Sequence, residues 1–437
     1  MRKEPLAVIL TSDIAAQCRG RAVSQREFQA YLTKGSGWVP GNAALNPFGQ
    51  IIEPNVYGST GDVRIQPDAR SVSRLTTAEG DEVKVVLGDL KNVDGSPWDS
   101  CPRTFLRDAI EDLEKETGLR VVASFEHEFS LLGSEGDAGR PFALRRLMER
   151  EPLGSAVMAA LDDAGLEPEM WLPEYADGQW EVTIAPTDAL QAADRAIYLR
   201  EIVRNIAHQL GHEATFTPVV EEGGGGSGVH VHLSLIDEHE RPVLWDDSRE
   251  GSISEVGGSF AAGILQHAPA LVALAASGVV SYDRLAPGNW SVGGAFLGQN
   301  NREALLRICP LFVRPNANSA RQYNLEFRAA DATSNPWLLL GALIRAGLEG
   351  IRAGLETPKV VGGNLADLTE EELAEAQSEP LPTSLEEALE KLDADAVAKG
   401  WFSPRLFSTF MTVKRSEIEY VAQLPEGGMY EAYARAY

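Results

Sequence analysis

Four short segments of this chain carry residues that can do chemistry together. In Ser124-Phe125-Glu126-His127-Glu128-Phe129, two glutamates stand two apart and point to one face of a strand. Glu174 and Glu181 flank a Gly-Gln turn, and Glu326 and Arg328 share a strand face. A glycine-rich loop, residues 223–228, leads into His230 and His232, again on one face. Any one of these pairs by itself is commonly a solvent-facing strand edge. Five glutamates on one face, however, repel one another unless divalent cations sit among them. Mostly oxygen donors with a histidine suit magnesium or manganese better than zinc. Arg284, Arg302 and Arg307 lie between the histidine strand and the last glutamate. Glutamate clusters with several arginines point to cations and phosphate oxygens in one cleft. Whether the segments converge is a question for the fold.

The elements that must position these residues follow from periodicity. Residues 121–132, 179–185, 229–236, 304–308 and 323–329 read as strands, several alternating charged with apolar residues as in a half-buried sheet. Residues 102–117, stopped at Gly118, and 188–210, 259–276 and 336–353 read as helices. The first hundred residues are Gly- and Pro-rich, with short β-branched runs at 7–11, 62–66 and 82–87. A helix is expected over 24–32, with Ser24 and Glu27 as a capping box, and another after Ser384 with Glu387. The turn-rich stretch 92–97 marks the boundary of a small β-rich domain. The acidic stretch 369–379 reads as a solvated helix or loop.

Composition narrows the class. The 437 residues are 44% hydrophobic and 24% charged, which suits a globular protein with a substantial core. Asp and Glu outnumber Lys and Arg 64 to 39, a net charge of −25 that disfavours nucleic acid and anionic membrane as primary partners. Cys18, Cys101 and Cys309 give neither a disulfide framework nor a zinc spacing, and a cytoplasmic setting is expected. The apolar run 6–10 is too short for a signal peptide, and 268–280 contains Pro269 and Ser277 and is too short to span a bilayer.

In order along the chain, E-x-E-F, E-x(4)-GQ-x-E, a glycine loop with G-x-H-x-H-x-S, RL-x-PG, NR-x(4)-R and E-x-R-x-x-D-x-x-x-NP resemble the glutamine synthetase family over about 102–353. The resemblance implies an α+β fold: a β-grasp-like domain over 1–98, then a catalytic domain over 99–437 with a curved antiparallel sheet flanked by helices. It also implies a homo-oligomeric ring, hexamer or dodecamer, with active sites between subunits. Position by position, Glu128, Glu174 and Glu181 would hold a cation near the substrate carboxylate, and Glu126, His230 and Glu326 one near the ATP phosphates. His232 and Ser234 match nucleotide contacts, and Arg302 and Arg307 the phosphate-binding arginines. Arg284 matches the grip on the glutamate α-carboxylate, Arg328 faces the γ-carboxylate, and Gly226 falls among the substrate contacts. Arg302, Arg328 and Glu326 would be catalytic, with ATP and Mg²⁺ or Mn²⁺ as cofactors. The implied chemistry transfers the γ-phosphoryl group of ATP to glutamate, and an amine then displaces phosphate.

Two departures bear on the amine. Glutamine synthetases deprotonate ammonium with an acid in an N-terminal loop and another in the flap after RL-x-PG. Here Trp290 stands at the flap position, and no Asp or Glu occurs between Glu27 and Glu53, where Gly35 to Asn42, with Trp38, replaces the loop. An ammonium ion without a carboxylate partner is poorly held in a desolvated site. Tryptophans there suit an apolar or aromatic amine, which near neutrality is largely uncharged and attacks with less help from a base. Gly225 stands where the family usually carries an Asn beside the glutamate, and Ala366 where some bacterial relatives carry an adenylylated Tyr. The reading is therefore an ATP-dependent carboxylate–amine ligase making a γ-glutamyl amide from a primary amine other than ammonia. An authentic glutamine synthetase and a non-catalytic nucleotide-sensing homologue are the alternatives, and the intact acidic positions count against the second. Trp290→Glu is predicted to shift amine preference towards ammonia, read as the ratio of kcat/KM for ammonium and an organic amine; an unchanged ratio contradicts this reading of the flap.

Overall fold

A computed structural model describes residues 3–134, 141–285, 292–312, 317–363, 369 and 380–437. Trp290, Ala366 and most of the acidic stretch lie outside the described residues. The chain forms two sheets. The first comprises β1 (Leu6–Ser12), β2 (Cys18–Ser24), β3 (Ser36–Trp38), β4 (Val63–Pro67), β5 (Ser73–Thr76) and β6 (Glu82–Asn92). Its order is β2-β1-β6-β4-β3, with β5 also on β6; β1 and β6 run parallel and the other pairs antiparallel. A short helix, Phe28–Lys34, packs on it through the buried Phe28.

The second sheet contains β7 (Arg120–Leu131), β8 (Pro168–Pro173), β9 (Gln179–Ile184), β10 (Thr187–Asp188), β11 (Ala214–Thr215), β12 (Val229–Ile236), β13 (Gly294–Gln299), β14 (Ala304–Ile308), β15 (Leu325–Phe327) and β16 (Val360–Gly362). The main path is β16-β13-β14-β15-β12-β7-β9-β8. The strands from β14 to β8 are antiparallel, as the alternation predicts. The far edge is not: β13 runs parallel to both β14 and β16, which local patterning does not foretell. Helices cover the apolar face. Pro336–Ala353 crosses Glu255–Gln266 with backbones in near contact: a Cβ on Gly263 would lie 2.1 Å from Ala346 O, and one on Gly350 2.0 Å from Ser259 O. Only glycine permits that approach.

Four local expectations meet different outcomes. Gly118 ends its helix in the left-handed region, φ 70°, donating to Glu114 O, as a C-cap should. Ser384 accepts from Glu387 N at 3.1 Å, while the Glu387 carboxylate reaches one residue further back, to Thr383 N at 2.8 Å. Ser24 does not cap: its hydroxyl donates to Glu4 Oε1 at 2.5 Å, and a 3₁₀ turn precedes the helix. The single helix expected over 259–276 is two, Glu255–Gln266 and Ala268–Ala275, bent by 74°. Pro269 sits in the first turn of the second, where its missing N–H costs nothing. No single helix among the described residues is long and apolar enough to cross a membrane.

The two sheets are tied by a buried ion cluster at the start of helix Pro102–Thr117. Arg103, 1% exposed, gives Nε and Nη2 to Asp194 (3.0 and 2.7 Å), Nη1 to Asp89 (2.7 Å) and Nη2 to Asp68 (3.0 Å). Trp337 Nε1 donates to the same Asp194 at 2.8 Å. Burial alone would raise the Asp68 carboxyl, but hydrogen bonds from Arg70 and Arg103 hold it far below its usual range. Removing one partner of such a cluster leaves an uncompensated buried charge. Arg103→Met is predicted to cost about 3–5 kcal/mol in urea unfolding; a loss under about 1 kcal/mol would show that the cluster is not what joins the sheets.

Candidate active site

Register decides which side chains meet. Arg307 on β14 pairs with Glu326 on β15, Glu326 with His232 on β12, and His232 with Ser124 on β7. Two residues along, His230 pairs with Glu126. Beyond them Glu128 pairs with Glu181 on β9. Because side chains alternate with period two, these rows share one face of the sheet. The segments read from the sequence therefore do converge. The opposite face is core: His127 is 1% exposed against Phe216, and burial, aided by Arg200, depresses its imidazole to about 3.

At the β15 end, His230 Nδ1 lies 3.2 Å from Glu126 Oε2 and 3.5 Å from Glu326 Oε1. His232 Nε2 lies 3.4 Å from Glu126 Oε2. Donor atoms of Glu126, His232 and Glu326 all fall within 4.8 Å of one another. The sequence assigned His230 to this cation and His232 to nucleotide; both histidines in fact touch the carboxylates. Arg307 Nη1 donates to Glu326 Oε2 at 2.7 Å, and Arg328 Nη1 donates to Glu326 Oε1. Burial would raise Glu326, but His230, Arg328, His232 and Arg307 bring its carboxyl down to about 2. Glu126 is held well below its usual range against its own burial, by hydrogen bonds from both histidines.

The β9 end has the opposite electrostatics. Burial, then the charge of Glu128, pushes Glu174 up to about 7. Burial, then Glu126, Glu128 and Glu174, pushes Glu181 up further. Carboxyls raised in this way by burial and by one another would give up their protons to a divalent cation bound among them. Oxygen donors with imidazole, crowded to mutual repulsion, fit Mg²⁺ or Mn²⁺.

Three residues that sequence reasoning passed over complete the frame. Arg146, buried on a helix, donates to the backbone oxygens of Glu174 (2.6 Å), Ala176 (2.8 Å) and Gln179 (2.8 Å) and so shapes the turn that presents Glu174. Gln179 Nε2 bridges Gly226 O at 2.8 Å and Glu128 Oε2 at 3.3 Å. Cys309 Sγ lies 3.6 Å from Glu326 Oε2 and 3.7 Å from His232 Nδ1. Only the GQ turn signalled any of these; the other two act through tertiary contact.

The glycine loop lies on Arg284. A Cβ at Gly226 would be 2.4 Å from Arg284 Cγ, and one at Gly228 3.1 Å from both Arg284 Nη1 and His230 Nε2. Arg284, 4% exposed, gives Nη2 to Ala329 O (2.6 Å) and Ala330 O (2.9 Å), while its Nε has no hydrogen-bond partner among the described residues. Nε instead faces the buried Asp331 Oδ2 at 3.9 Å, and Nη1 lies against the glycine loop at Gly228, so a carboxylate ligand would meet the guanidinium on its glycine-loop edge. Arg302 is exposed; its backbone oxygen accepts from Arg328 Nε at 2.8 Å. A cavity of about 490 Å³ opens beside the β15 end, lined by Glu126, Thr183, His232, Ser234, Arg321 and Asn324. Ser234 Oγ there donates to Tyr323 O at 2.8 Å. Trp38 sits on β3 opposite Val63 and packs against the small sheet's own core within this chain.

Comparison with known proteins accounts for this arrangement. Residues 2–98 match the glutamine synthetase N-terminal domain and residues 99–433 the glutamine synthetase catalytic domain. The chain belongs to the glutamine synthetase family and is an ATP-dependent ligase. Its relatives include a glutamine synthetase of Methanocaldococcus jannaschii, 31% identical over 82% of this chain and 79% of that protein. They also include the gamma-glutamylpolyamine synthetase of Streptomyces coelicolor, 30% identical over 98% of this chain and 93% of that protein. Among solved structures, one described as a novel glutamine synthase homolog superposes with a TM-score of 0.91 at 37% identity, covering 100% of this chain and 99% of that one. Unliganded GmaS gives 0.81 at 25%, covering 97% of this chain and 95% of that one.

The raised carboxyls yield a signed prediction. A carboxyl whose folded pKa exceeds its unfolded value stabilises the fold below the unfolded value, about 4.3, and loses that contribution as pH rises through the folded one. With Glu174 at about 7, the Tm of metal-free protein should fall between about pH 5 and 8. Glu181→Gln should flatten that slope, and Mn²⁺ should raise Tm more at pH 8 than at pH 5. A metal-free Tm that climbs over this range contradicts the assignment.

Proposed function

We propose that this ligase joins the γ-carboxylate of glutamate to a primary amine other than ammonia, an apolar or aromatic amine being favoured, through γ-glutamyl phosphate. The observation that carries the reading is a set of acidic, histidine and arginine side chains gathered at one sheet face, in a sequence with Trp290 at the flap position and no Asp or Glu between Glu27 and Glu53. Likeness to a gamma-glutamylpolyamine synthetase over almost the whole chain supports an organic amine; likeness to glutamine synthetases makes ammonia the competing substrate.

In this reading, Glu128, Glu174 and Glu181 hold one divalent cation, and Glu126, Glu326 and the adjoining histidines another. When bound, these cations supply Lewis-acid stabilisation of charge on the phosphoryl oxygens. ATP enters the cavity beside His232 and Ser234. Arg307 and Arg302 orient its phosphates, and bidentate donors of this kind stabilise charge that develops in transfer. Arg284 binds the glutamate α-carboxylate with the edge of its guanidinium that faces the glycine loop, and Gly226 leaves room beside it. Arg328, held by the Glu326 carboxylate and Arg302 O, faces the γ-carboxylate. The γ-carboxylate oxygen attacks the γ-phosphorus and ADP leaves. The amine nitrogen then attacks the acyl carbon, phosphate departs, and the amine proton goes to solvent or a nearby base. We further propose that the domains divide at residues 98/99 and that subunits assemble as a hexameric or dodecameric ring.

The test is phosphate release with ATP, glutamate and Mg²⁺ or Mn²⁺, comparing ammonium with alkyl-, poly- and arylamines. Stimulation by an organic amine well above ammonium is expected; stimulation by ammonium above all others would establish a glutamine synthetase instead. No turnover with any amine would overturn the ligase assignment of substrate altogether. Glu326→Gln should lower turnover by about 100-fold or more in a protein that still assembles.

A further inference from the structure

The residues that frame the acid-substrate pocket are not self-supporting. Arg284 ends a single-turn helix, Ser281–Arg284, and the glycine loop that faces it follows the two-residue strand β11. Both walls rest on the last helix, Gly428–Ala436, and on Tyr437 that caps it, which neither the motifs nor the resemblance drew into the site.

Tyr433 is fully buried. Its hydroxyl oxygen accepts from Val279 N at 2.9 Å and donates to Glu417 Oε2 at 3.1 Å. Glu417 is anchored in turn by Lys414 Nζ at 2.7 Å, both residues being fully buried. The Tyr433 ring closes on Gly278, where an added Cβ would lie 2.9 Å from Cε1. One turn earlier, Tyr430 Oη donates to Asp283 Oδ2 at 2.9 Å, directly beside Arg284. The other wall is held by Tyr437. Its carbonyl oxygen accepts from Phe216 N at 2.9 Å, and its hydroxyl donates to Ala15 O at 2.8 Å. Phe216 leads into Pro218, whose oxygen accepts from Ser227 N at 2.7 Å, and into Val219, which bridges to Gly226. Val219, Val280, Tyr433 and Tyr437 form one small apolar cluster, separate from the main core. A single cluster therefore backs both the Arg284 segment and the glycine loop.

We propose that helix Gly428–Ala436 is a clamp that sets the position of Arg284 against the glycine loop, and that Tyr430 and Tyr433 are positioning residues for the acid substrate. This rests on the assignment of Arg284 to the glutamate carboxylate. The nucleotide side of the site hangs on β12, β14 and β15, none of which contributes to this cluster. The clamp should thus act on glutamate and leave ATP alone. Tyr433→Phe strips a buried N–H of its acceptor and a buried carboxylate of a donor. Tyr430→Phe removes only a half-buried hydrogen bond and is the variant least able to disturb folding.

The experiment measures glutamate and ATP affinity separately, by calorimetry and as individual KM values, for Tyr430→Phe, Tyr433→Phe and Arg284→Lys. Hydrogen exchange across residues 278–285 is followed in parallel. The Tyr variants are expected to weaken glutamate by about tenfold, with ATP unchanged and faster exchange at 278–285. Arg284→Lys weakening glutamate while both Tyr variants leave it unchanged overturns the clamp. Equal loss of glutamate and ATP affinity with a lowered Tm shows general loosening and also overturns it. Arg284→Lys leaving glutamate unchanged overturns instead the assignment of Arg284 on which the clamp stands.

Discussion

Mutual repulsion among carboxylates is the constraint around which this protein is built. Four glutamates share one sheet face, with Glu174 in the turn beside them, and they are treated unequally. Glu126 and Glu326 are surrounded by two histidines and two arginines and stay ionised against their burial. At Glu174 burial and Glu128 outweigh Arg302, and at Glu181 burial and the other glutamates act together, so both are pushed towards the neutral form. The face is thereby divided into a half already balanced by protein cations and a half whose carboxylates repel one another. In the proposed reaction the arginines would meet phosphates and divalent cations would take up the remaining charge.

Holding repelling groups together takes a stiff frame, and the frame explains much of the remaining fold. Glu126, Glu128, Glu181 and Glu326 sit on β7, β9 and β15, strands paired on both sides, and Glu174 sits in the turn after β8 that Arg146 holds. Helices locked by glycine contacts back the sheet. Arg103 draws three aspartates, one from the large helix layer and two from the first sheet's side, into one buried knot. The same device recurs on a smaller scale in Lys414 and Glu417, which anchor the tyrosine behind the Arg284 segment. Buried ion pairs add little net stability but penalise every arrangement that separates them.

Much of the site was legible because strand chemistry is local. The two-residue spacing in Glu126/Glu128 and in His230/His232 puts each pair on one face whatever the partner strands are, and the motif order then identified the family. What escaped was contact between distant segments. Arg146 sits on a helix with no pattern to mark it, yet it bonds three backbone oxygens of the Glu174 turn. Cys309, dismissed on spacing, lies against His232 and Glu326. Ser24 satisfied the capping rule in sequence, but Glu4, twenty residues away, took its hydroxyl.

The sequence by itself determined the chemical inventory: which carboxylates, imidazoles and guanidiniums are present and which share a strand face. Residue type and two-residue periodicity are intrinsic to the chain and survive any fold that keeps the strands. The tertiary structure alone decided which rows those strands form. Register sets Glu326 between Arg307 and His232 and sets Glu128 against Glu181, and so decides which carboxyl stays charged and which takes a proton. It also brought the last helix behind Arg284. Charge–charge interaction falls with distance and with exposure to water, and both quantities exist only once the chain has folded.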